Sequence, residues 1–125
     1  MAPDETVGQI RGKHSGRLPL ELAELLTPPV EHALNHPLRR EILRSLTQSN
    51  QPRSAAELVA TSLPKTNVTL LNYHVGVLET SDLVRVIENE TAGAGFTRRY
   101  VSTVGEDVQI LAILGATESL DRLAS

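Results

Sequence analysis

Apolar residues recur with a helical period in three consecutive segments in the middle of the chain. The predicted helices span about 37–47, 54–61 and 67–80. The second helix opens with Ser54 and Glu57 at the spacing of a capping box, and Thr66 or Asn67 can cap the third. The apolar stripe of the third helix consists of Val68, Leu71, Val75 and Leu78. The pattern therefore predicts a short helix, a turn and a longer helix with one buried and one polar face.

The pattern becomes strand-like after Asp82. Residues 83–88 are rich in β-branched side chains, and residues 96–103 alternate between two faces, so a β-hairpin with a turn over 89–95 is predicted. A last helix is predicted over about 106–124, and its middle, Val108–Ala116, is apolar on nearly every side. Such a helix needs a second apolar surface, which a partner subunit would supply.

Two shorter apolar segments precede the central helices. Residues 18–26 are dense in leucine and predict a short helix, and residues 30–35 predict another, with Pro29 suited to its first turn. Residues 1–17 are polar and show no period, which predicts a flexible tail. Residues 18–125 are expected to form one domain, mainly α with a small β-hairpin.

Composition excludes several classes of protein. The 125 residues suffice for one domain, and the lack of cysteine removes disulfides, thiolate chemistry and cysteine-based zinc sites. No apolar run approaches the ~20 residues of a membrane helix, and no secretory signal pattern is present, so we expect a cytoplasmic protein without membrane contact. No catalytic grouping and no phosphate-binding loop stand out, so we expect neither an enzyme nor a cofactor.

The net charge of −3 is low for a protein that binds DNA by electrostatic attraction alone. Between residues 37 and 103, however, eight basic residues outnumber six acidic ones. DNA binding would depend on specific contacts, which an uncharged polar helix face can make to base edges in the major groove. The predicted DNA-binding residues are Lys65, Thr66, Asn67, Thr69, Asn72 and Tyr73 around the third helix, and Arg98 and Arg99 on the hairpin.

Each of these residues also has an ordinary structural interpretation. Thr66 and Asn67 can be plain helix caps, Tyr73 can be a half-buried ring of the core, and exposed arginines are commonly solvated. The order of the elements favours DNA binding, because a short helix, a tight turn and a helix with a polar face are typical of a helix-turn-helix.

Four segments resemble the ArsR-type winged helix-turn-helix regulators. They read NHPLRREIL over 35–43, ELVA over 57–60, NYHVGVLE over 72–79 and LV over 83–84. Tyr100 matches a tyrosine near the end of the family's wing. The resemblance implies a winged helix-turn-helix, with a three-helix core, the helix-turn-helix over about 54–81, the wing over about 83–103 and dimerisation helices at both ends.

The resemblance also implies function. It implies a homodimeric repressor that releases double-stranded operator DNA in response to a small-molecule effector or stress. It implies base contacts by Thr69, Asn72 and Tyr73, and structural roles for Arg39 and His74. The chain differs from the family pattern at Gly76, where a basic residue is common, at Asp82, where glycine is usual, and in a longer turn over 61–66. These differences bear on DNA affinity more than on the fold.

Two alternatives stay open. A winged-helix protein-interaction module without DNA binding fits the net charge and Gly76. His32 and His36, four residues apart, could bind a metal from one helix face. The chain has no cysteine, and its C-terminal helix carries no cluster of acidic residues with histidine, so we expect no metal site.

Overall fold

The order of helices and strands follows the predicted one. The structure, a computed structural model, describes residues 16–91, 93 and 95–124. The elements of this part of the chain are α1 (Leu20–Ala23), α2 (Pro28–Leu34), α3 (Pro37–Ser49), α4 (Ala55–Thr61), α5 (Val68–Thr80), β1 (Val84–Thr91), β2 (Gly95–Ser102) and α6 (Val108–Ala124). The fold is mainly helical with one antiparallel hairpin, as in a winged helix-turn-helix.

Helix α3 lies at the centre of the fold and contacts α2, α5, α6 and β2. Its predicted apolar residues Ile42, Leu43 and Leu46 are buried, whereas Leu38 is half-buried. The other elements contribute Leu34, Leu58, Leu71, Val75, Leu78 and Ile113 to the same core. Since each fully buried aliphatic side chain contributes about 1.5–3 kcal/mol, α3 organises most of the hydrophobic stabilisation.

Side-chain caps fix where helices α4, α5 and α6 begin. The predicted capping box is present at α4, with the Ser54 hydroxyl accepting from the Glu57 N–H and the Glu57 carboxylate accepting from the Ser54 N–H. Asn67, rather than Thr66, caps α5 by accepting from the Leu70 N–H at 2.8 Å. Asp107 accepts from the Ile110 N–H at 3.1 Å, so α6 begins at Val108.

The strands of the hairpin reach further into the turn than predicted. Residues 89–91 belong to β1 and Gly95 begins β2, although all of them were expected in the turn. The register pairs Val84 with Ser102 and Val86 with Tyr100. Two backbone hydrogen bonds, of 3.1 and 2.8 Å, join Arg53 to Tyr100, so the segment before α4 is attached to the hairpin.

Asp82 has a left-handed backbone conformation, with φ of 62°. Glycine, which adopts this conformation most easily, is usual at this position in the ArsR-type pattern. The carbonyl of Asp82 accepts from the Thr103 hydroxyl at 2.5 Å, and the Thr103 N–H donates to the carbonyl of Leu83. The chain therefore turns out of α5 and into β1 at a residue that is anchored to the end of the hairpin.

The leucine-rich N-terminal segment forms a shorter helix than predicted, over Leu20–Ala23 only. Leu18 and Ala23 are buried, whereas Leu20 is 71% exposed. Residues 1–15 of the predicted flexible tail lie outside the described residues. Gly16 is buried with φ of 81°, and a Cβ there would lie 2.3 Å from Cδ of Pro37, so the close approach of the two residues requires glycine.

The apolar stripe predicted for α5 is wrong at its first position. Leu71, Val75 and Leu78 are buried, but Val68 is 41% exposed. Residues 68–70 are all exposed because the first turn of α5 extends beyond the core. His74 takes a buried place in the core instead, at 5% exposure.

The three arginines of α3, which lie outside its apolar stripe, are buried, and the sequence pattern did not predict this. Arg39 donates to the carbonyls of Ala33 at 2.7 Å and His32 at 3.2 Å. Arg40 donates to the carbonyl of Leu34 at 2.6 Å. These bonds satisfy the carbonyls at the end of α2, which have no partner within that helix.

The carboxylate of Asp121, on α6, accepts from two of these arginines. Arg40 binds it in a bidentate manner, with Nε 3.0 Å from Oδ2 and Nη2 2.5 Å from Oδ1. Arg44 Nη2 lies 2.6 Å from Oδ2 and also donates to the Thr117 hydroxyl at 2.8 Å. Asp121 and Arg40 are each 1% exposed. The C-terminal helix is thus joined to α3 by a buried group of two cations and one anion.

We predict that Asp121→Asn lowers the free energy of unfolding by about 3–5 kcal/mol, because two buried guanidinium groups lose their counter-charge. Denaturant unfolding followed by circular dichroism measures the change. Glu118→Gln is the matched control on the same helix, since its pair with Arg122 is exposed and should contribute less than about 1 kcal/mol. Equal losses in the two variants would contradict the prediction.

Candidate nucleic-acid interface

The polar face of α5 is open to solvent. Thr69, Asn72 and Tyr73 are all exposed, and they lie opposite the buried residues Leu71 and Val75. Tyr73 is 64% exposed, so it is not a half-buried core residue, and its ring contacts His74 edge-on with centroids 5.0 Å apart. The structure therefore brings these three predicted residues together on one accessible face.

Asn72 is held by the hairpin. The hydroxyl of Tyr100, whose side chain is buried, donates to Asn72 Oδ1 at 3.1 Å. Tyr100 is itself fixed by its backbone bonds to Arg53. The bond occupies one lone pair of the amide oxygen and sets the orientation of the whole amide, so the side chain is positioned before any ligand arrives. Sequence reasoning identified both residues but not their contact.

The three predicted residues before α5 have different environments. Lys65 is exposed in the turn. Asn67 is exposed, but its side-chain oxygen is occupied as the helix cap. The hydroxyl oxygen of Thr66 is buried and has no hydrogen-bond partner among the described residues. Of the three, only Lys65 is exposed and makes no side-chain hydrogen bond or ion pair in the described part of the chain.

The two arginines predicted on the hairpin lie beside carboxylates. Arg98 is 3.5 Å from Glu88 and 3.9 Å from Glu79, and Arg99 is 3.4 Å from Glu57. The pKa of Glu57 lies below its usual range, chiefly because its carboxylate accepts from the Ser54 N–H. These pairs are largely exposed, and such pairs contribute about 0–1 kcal/mol, so the arginines can exchange a carboxylate for a phosphate at small cost.

A groove of about 440 Å³ separates α5 from the hairpin. Its lining includes Asn72, Gly76, Glu79, Arg98 and Tyr100. A Cβ added at Gly76 would meet nothing within 4 Å, so the groove is open where the family pattern places a basic side chain. A side chain at this position would therefore begin without a steric clash.

His74 joins α5 to α3 as a neutral imidazole. Its Nδ1 accepts from Arg39 Nη1 at 3.4 Å, and its ring lies 4.4 Å from that of His36. Burial, together with His36 and Arg39 nearby, lowers the pKa of His74 to about 4. These contacts fit the structural roles that the resemblance implies for Arg39 and His74.

His32 and His36 do not share a helix face. His32 belongs to α2, whereas His36 precedes α3 and caps it, with Nδ1 accepting from the Leu38 N–H at 3.1 Å. The proline at position 37 starts a new helix, which breaks the predicted spacing. In the part of the chain that the structure describes, no three metal-ligating side chains lie together.

Residues 34–87 match the model of a protein family described as a helix-turn-helix domain. The match covers α3, α4, α5 and the start of β1. No curated protein and no solved structure matches the chain. A helix-turn-helix domain supports a DNA-binding regulator in general, and such domains are typically not enzymes. Among the described residues, no helix is long and apolar enough to cross a membrane.

We predict that the free energy of unfolding falls as the pH decreases from about 6.5 to about 4, because the unfolded chain takes up a proton at His74 before the folded one does. The contribution of His74 is fully present above pH 6.5 and amounts to about 2–3 kcal/mol. His74→Gln should flatten this part of the profile relative to His32→Gln, an exposed histidine control, in chemical denaturation at several pH values. Parallel profiles for the two variants would show that His74 does not cause the slope.

We also predict that Gly76→Lys raises the affinity for any DNA duplex and steepens the salt dependence by about one unit, because it adds a phosphate contact in an open groove. The change should not destabilise α5, since glycine costs a helix up to about 1 kcal/mol. Fluorescence anisotropy at several salt concentrations measures both effects. Glu24→Gln, an exposed change of equal charge far along the sequence, is the control, and an equal gain there would mean that only net charge matters.

Proposed function

We propose that this chain is a sequence-specific transcriptional regulator of the ArsR type, which binds operator DNA as a homodimer and acts as a cytoplasmic repressor. The observation that carries the proposal is the exposed face of α5, on which Thr69, Asn72 and Tyr73 lie together and Asn72 is fixed by Tyr100. The helix-turn-helix match over 34–87 supports DNA binding in general.

The proposed contacts divide into two kinds. Thr69, Asn72 and Tyr73 contact base edges in the major groove, where amide and hydroxyl groups distinguish one base pair from another. The start of α5, with Thr66 and Asn67, lies near the DNA backbone, and Lys65, Arg98 and Arg99 contact phosphates. Because Glu57, Glu79 and Glu88 surround the hairpin arginines, electrostatic attraction is weak and the base contacts carry much of the affinity.

The proposed homodimer rests on the two faces of α6. Ile110, Ile113, Leu114, Thr117 and Asp121 form its buried face. On the opposite face, Val108 is 77% exposed, and Ala112, Gly115 and Ala116 are exposed as well. A stripe of apolar and small residues at helical spacing lets a second helix approach closely. Leu20 and Leu25 add exposed apolar surface in and after α1.

A protein-interaction module without DNA binding is the second candidate. One observation favours it, namely that each arginine predicted to contact phosphate from the hairpin already lies beside a carboxylate. Such a surface repels phosphates more than the basic surface of a typical DNA-binding protein does. The following experiment distinguishes the two candidates.

We predict that Asn72→Ala abolishes the preference for operator over scrambled duplex, at a cost of about 1–3 kcal/mol on the operator and little on other DNA. The double variant Arg98→Ala with Arg99→Ala should instead weaken binding to every duplex and flatten the salt dependence. Binding of each variant to both duplexes at several salt concentrations measures the difference, with duplexes taken from the promoter of the chain's own gene.

Tyr100→Phe is the matched control for the position of Asn72. It keeps the buried ring but removes the hydroxyl that holds the amide, so it should reduce discrimination less than Asn72→Ala does. Wild-type operator affinity in Asn72→Ala would refute the proposed base contact. No preference of the wild type for any duplex would support the interaction module instead.

We predict that Ala112→Asp converts the dimer to a monomer, because it places a charge in the centre of the exposed face of α6. Sedimentation velocity at micromolar concentration measures the assembly state. Ala60→Asp, on the exposed side of α4, is the control and should stay dimeric. A monomeric wild type at this concentration would refute the homodimer.

A further inference from the structure

A second and larger cleft is lined by α3, α6 and the turn before α5. It has a volume of about 620 Å³, within the usual range of small-molecule sites. We call it the α3–α6 cleft. Four elements of the fold line it. They contribute Leu38, Glu41, Ser45 and Gln48 of α3, Ser62 to Thr66 of the turn, Leu70 of α5, and Glu118, Asp121 and Arg122 of α6. The residues from α3 are spaced three and four apart, so one face of that helix forms the floor.

The cleft contains two polar groups that lack partners within the described residues. The Glu41 carboxylate is half-buried on the floor, yet it makes no hydrogen bond or salt bridge in the described part of the chain. The Thr66 hydroxyl oxygen is fully buried and also has no partner there. The Thr66 hydroxyl oxygen is closed off from the cleft, and as a buried polar group without a partner it costs about 1–3 kcal/mol. The Glu41 carboxylate is open to the cleft, so a ligand there can donate to it.

The cations around the cleft have other partners or lie at its edge. Arg44 is bound to Asp121 at 2.6 Å, and Arg122 lies 2.7 Å from Glu118. Lys65 is exposed at the rim. Burial and the negative charge of Asp121 raise the pKa of Glu41, against the opposing effect of Arg44, Arg40 and Lys65. The floor therefore presents a carboxylate that a further positive charge would stabilise.

The remaining wall is apolar. Leu63 is buried there, Leu38 is half-buried, and Leu70 is 43% exposed on the first turn of α5. Exposed leucine at a concave site is a surface that an apolar ligand can cover. The cleft thus combines an apolar wall with an accessible carboxylate, that of Glu41.

We propose that the α3–α6 cleft binds a small organic ammonium compound, whose N–H groups donate to the Glu41 carboxylate and whose apolar part covers Leu38, Leu63 and Leu70. An ammonium group is a cation that only donates hydrogen bonds, which matches an ionised carboxylate that only accepts them. An organic anion would instead face the carboxylates of Glu41, Glu118 and Asp121.

Occupancy of this cleft is linked to DNA binding, a part of the inference that rests on the proposed function. Five consecutive lining residues, Ser62 to Thr66, form the turn that leads directly to Asn67, the cap of α5. A ligand on this turn and on Leu70 contacts the first turn of the helix proposed to read DNA. The longer turn that the sequence shows at 61–66 is therefore one wall of the site.

The test measures binding of hexylamine and hexanoate to the full chain without DNA, by isothermal titration calorimetry. Hexylamine should bind, hexanoate should not, and octylamine should bind more tightly by about fourfold per added methylene. Glu41→Gln should weaken hexylamine binding at least about tenfold, the loss expected for a hydrogen bond to a charged group. Thr66→Val should cause little or no loss, because this hydroxyl oxygen is closed off from the cleft. Glu106→Gln, an exposed residue outside the cleft, should cause none.

Three results would overturn the inference. If hexanoate binds as tightly as hexylamine, the cleft does not select a positively charged ligand. If a folded Glu41→Gln variant binds hexylamine as tightly as the wild type, the ligand does not bind at Glu41. The third is an operator affinity that saturating hexylamine leaves unchanged, which would overturn the coupling of the cleft to DNA binding, since two coupled sites alter each other's affinity by the same factor. If hexylamine binds but no DNA duplex does, the proposed ligand site is supported and the proposed function is refuted. If a duplex binds but hexylamine does not, only the ligand site is refuted.

Discussion

The buried contact of Asp121 with Arg40 and Arg44 is the interaction on which the rest of the structure depends. Both arginines lie on α3, and the same helix uses Arg39 and Arg40 to bind the last carbonyls of α2. One polar side of α3 therefore fixes the helices before and after the DNA-binding unit, while its apolar side packs against α5. Because a buried charge without its partner is costly, the loss of one partner in this group would destabilise the fold. That coupling makes α3 a rigid support.

The same support positions the helix proposed to read DNA. His74 binds Arg39 on the buried side of α5, and Asn72 binds Tyr100 of the hairpin on the exposed side. Helix α5 is thus held from both sides, with its first turn extending beyond the core. A rigid side chain at the interface loses less conformational entropy on binding, which favours selective contacts over strong non-specific ones.

The surface charge also favours selective contacts over non-specific ones. The net charge is −3, and the hairpin arginines lie beside Glu57, Glu79 and Glu88. Weak attraction to phosphates lowers affinity for all DNA equally, whereas base contacts act only on the matching sequence. A regulator with this surface depends on the precise position of a few polar groups. Anything that moves the first turn of α5, such as a ligand in the α3–α6 cleft, would then have a large effect on binding.

The sequence by itself determined the elements whose signals are local. The capping box at Ser54, a cap at Thr66 or Asn67, the buried stripe of α3 and the change of period after Asp82 depend on residues a few positions apart, so the pattern predicted them. Tertiary structure alone decided what depends on distant residues. Arg40 meets Asp121 across 81 positions, Tyr100 meets Asn72 across 28, and the exposure of Val68 depends on where the core ends. Periodicity shows which face of a helix is apolar, but a polar residue is buried only when the folded chain brings it a partner.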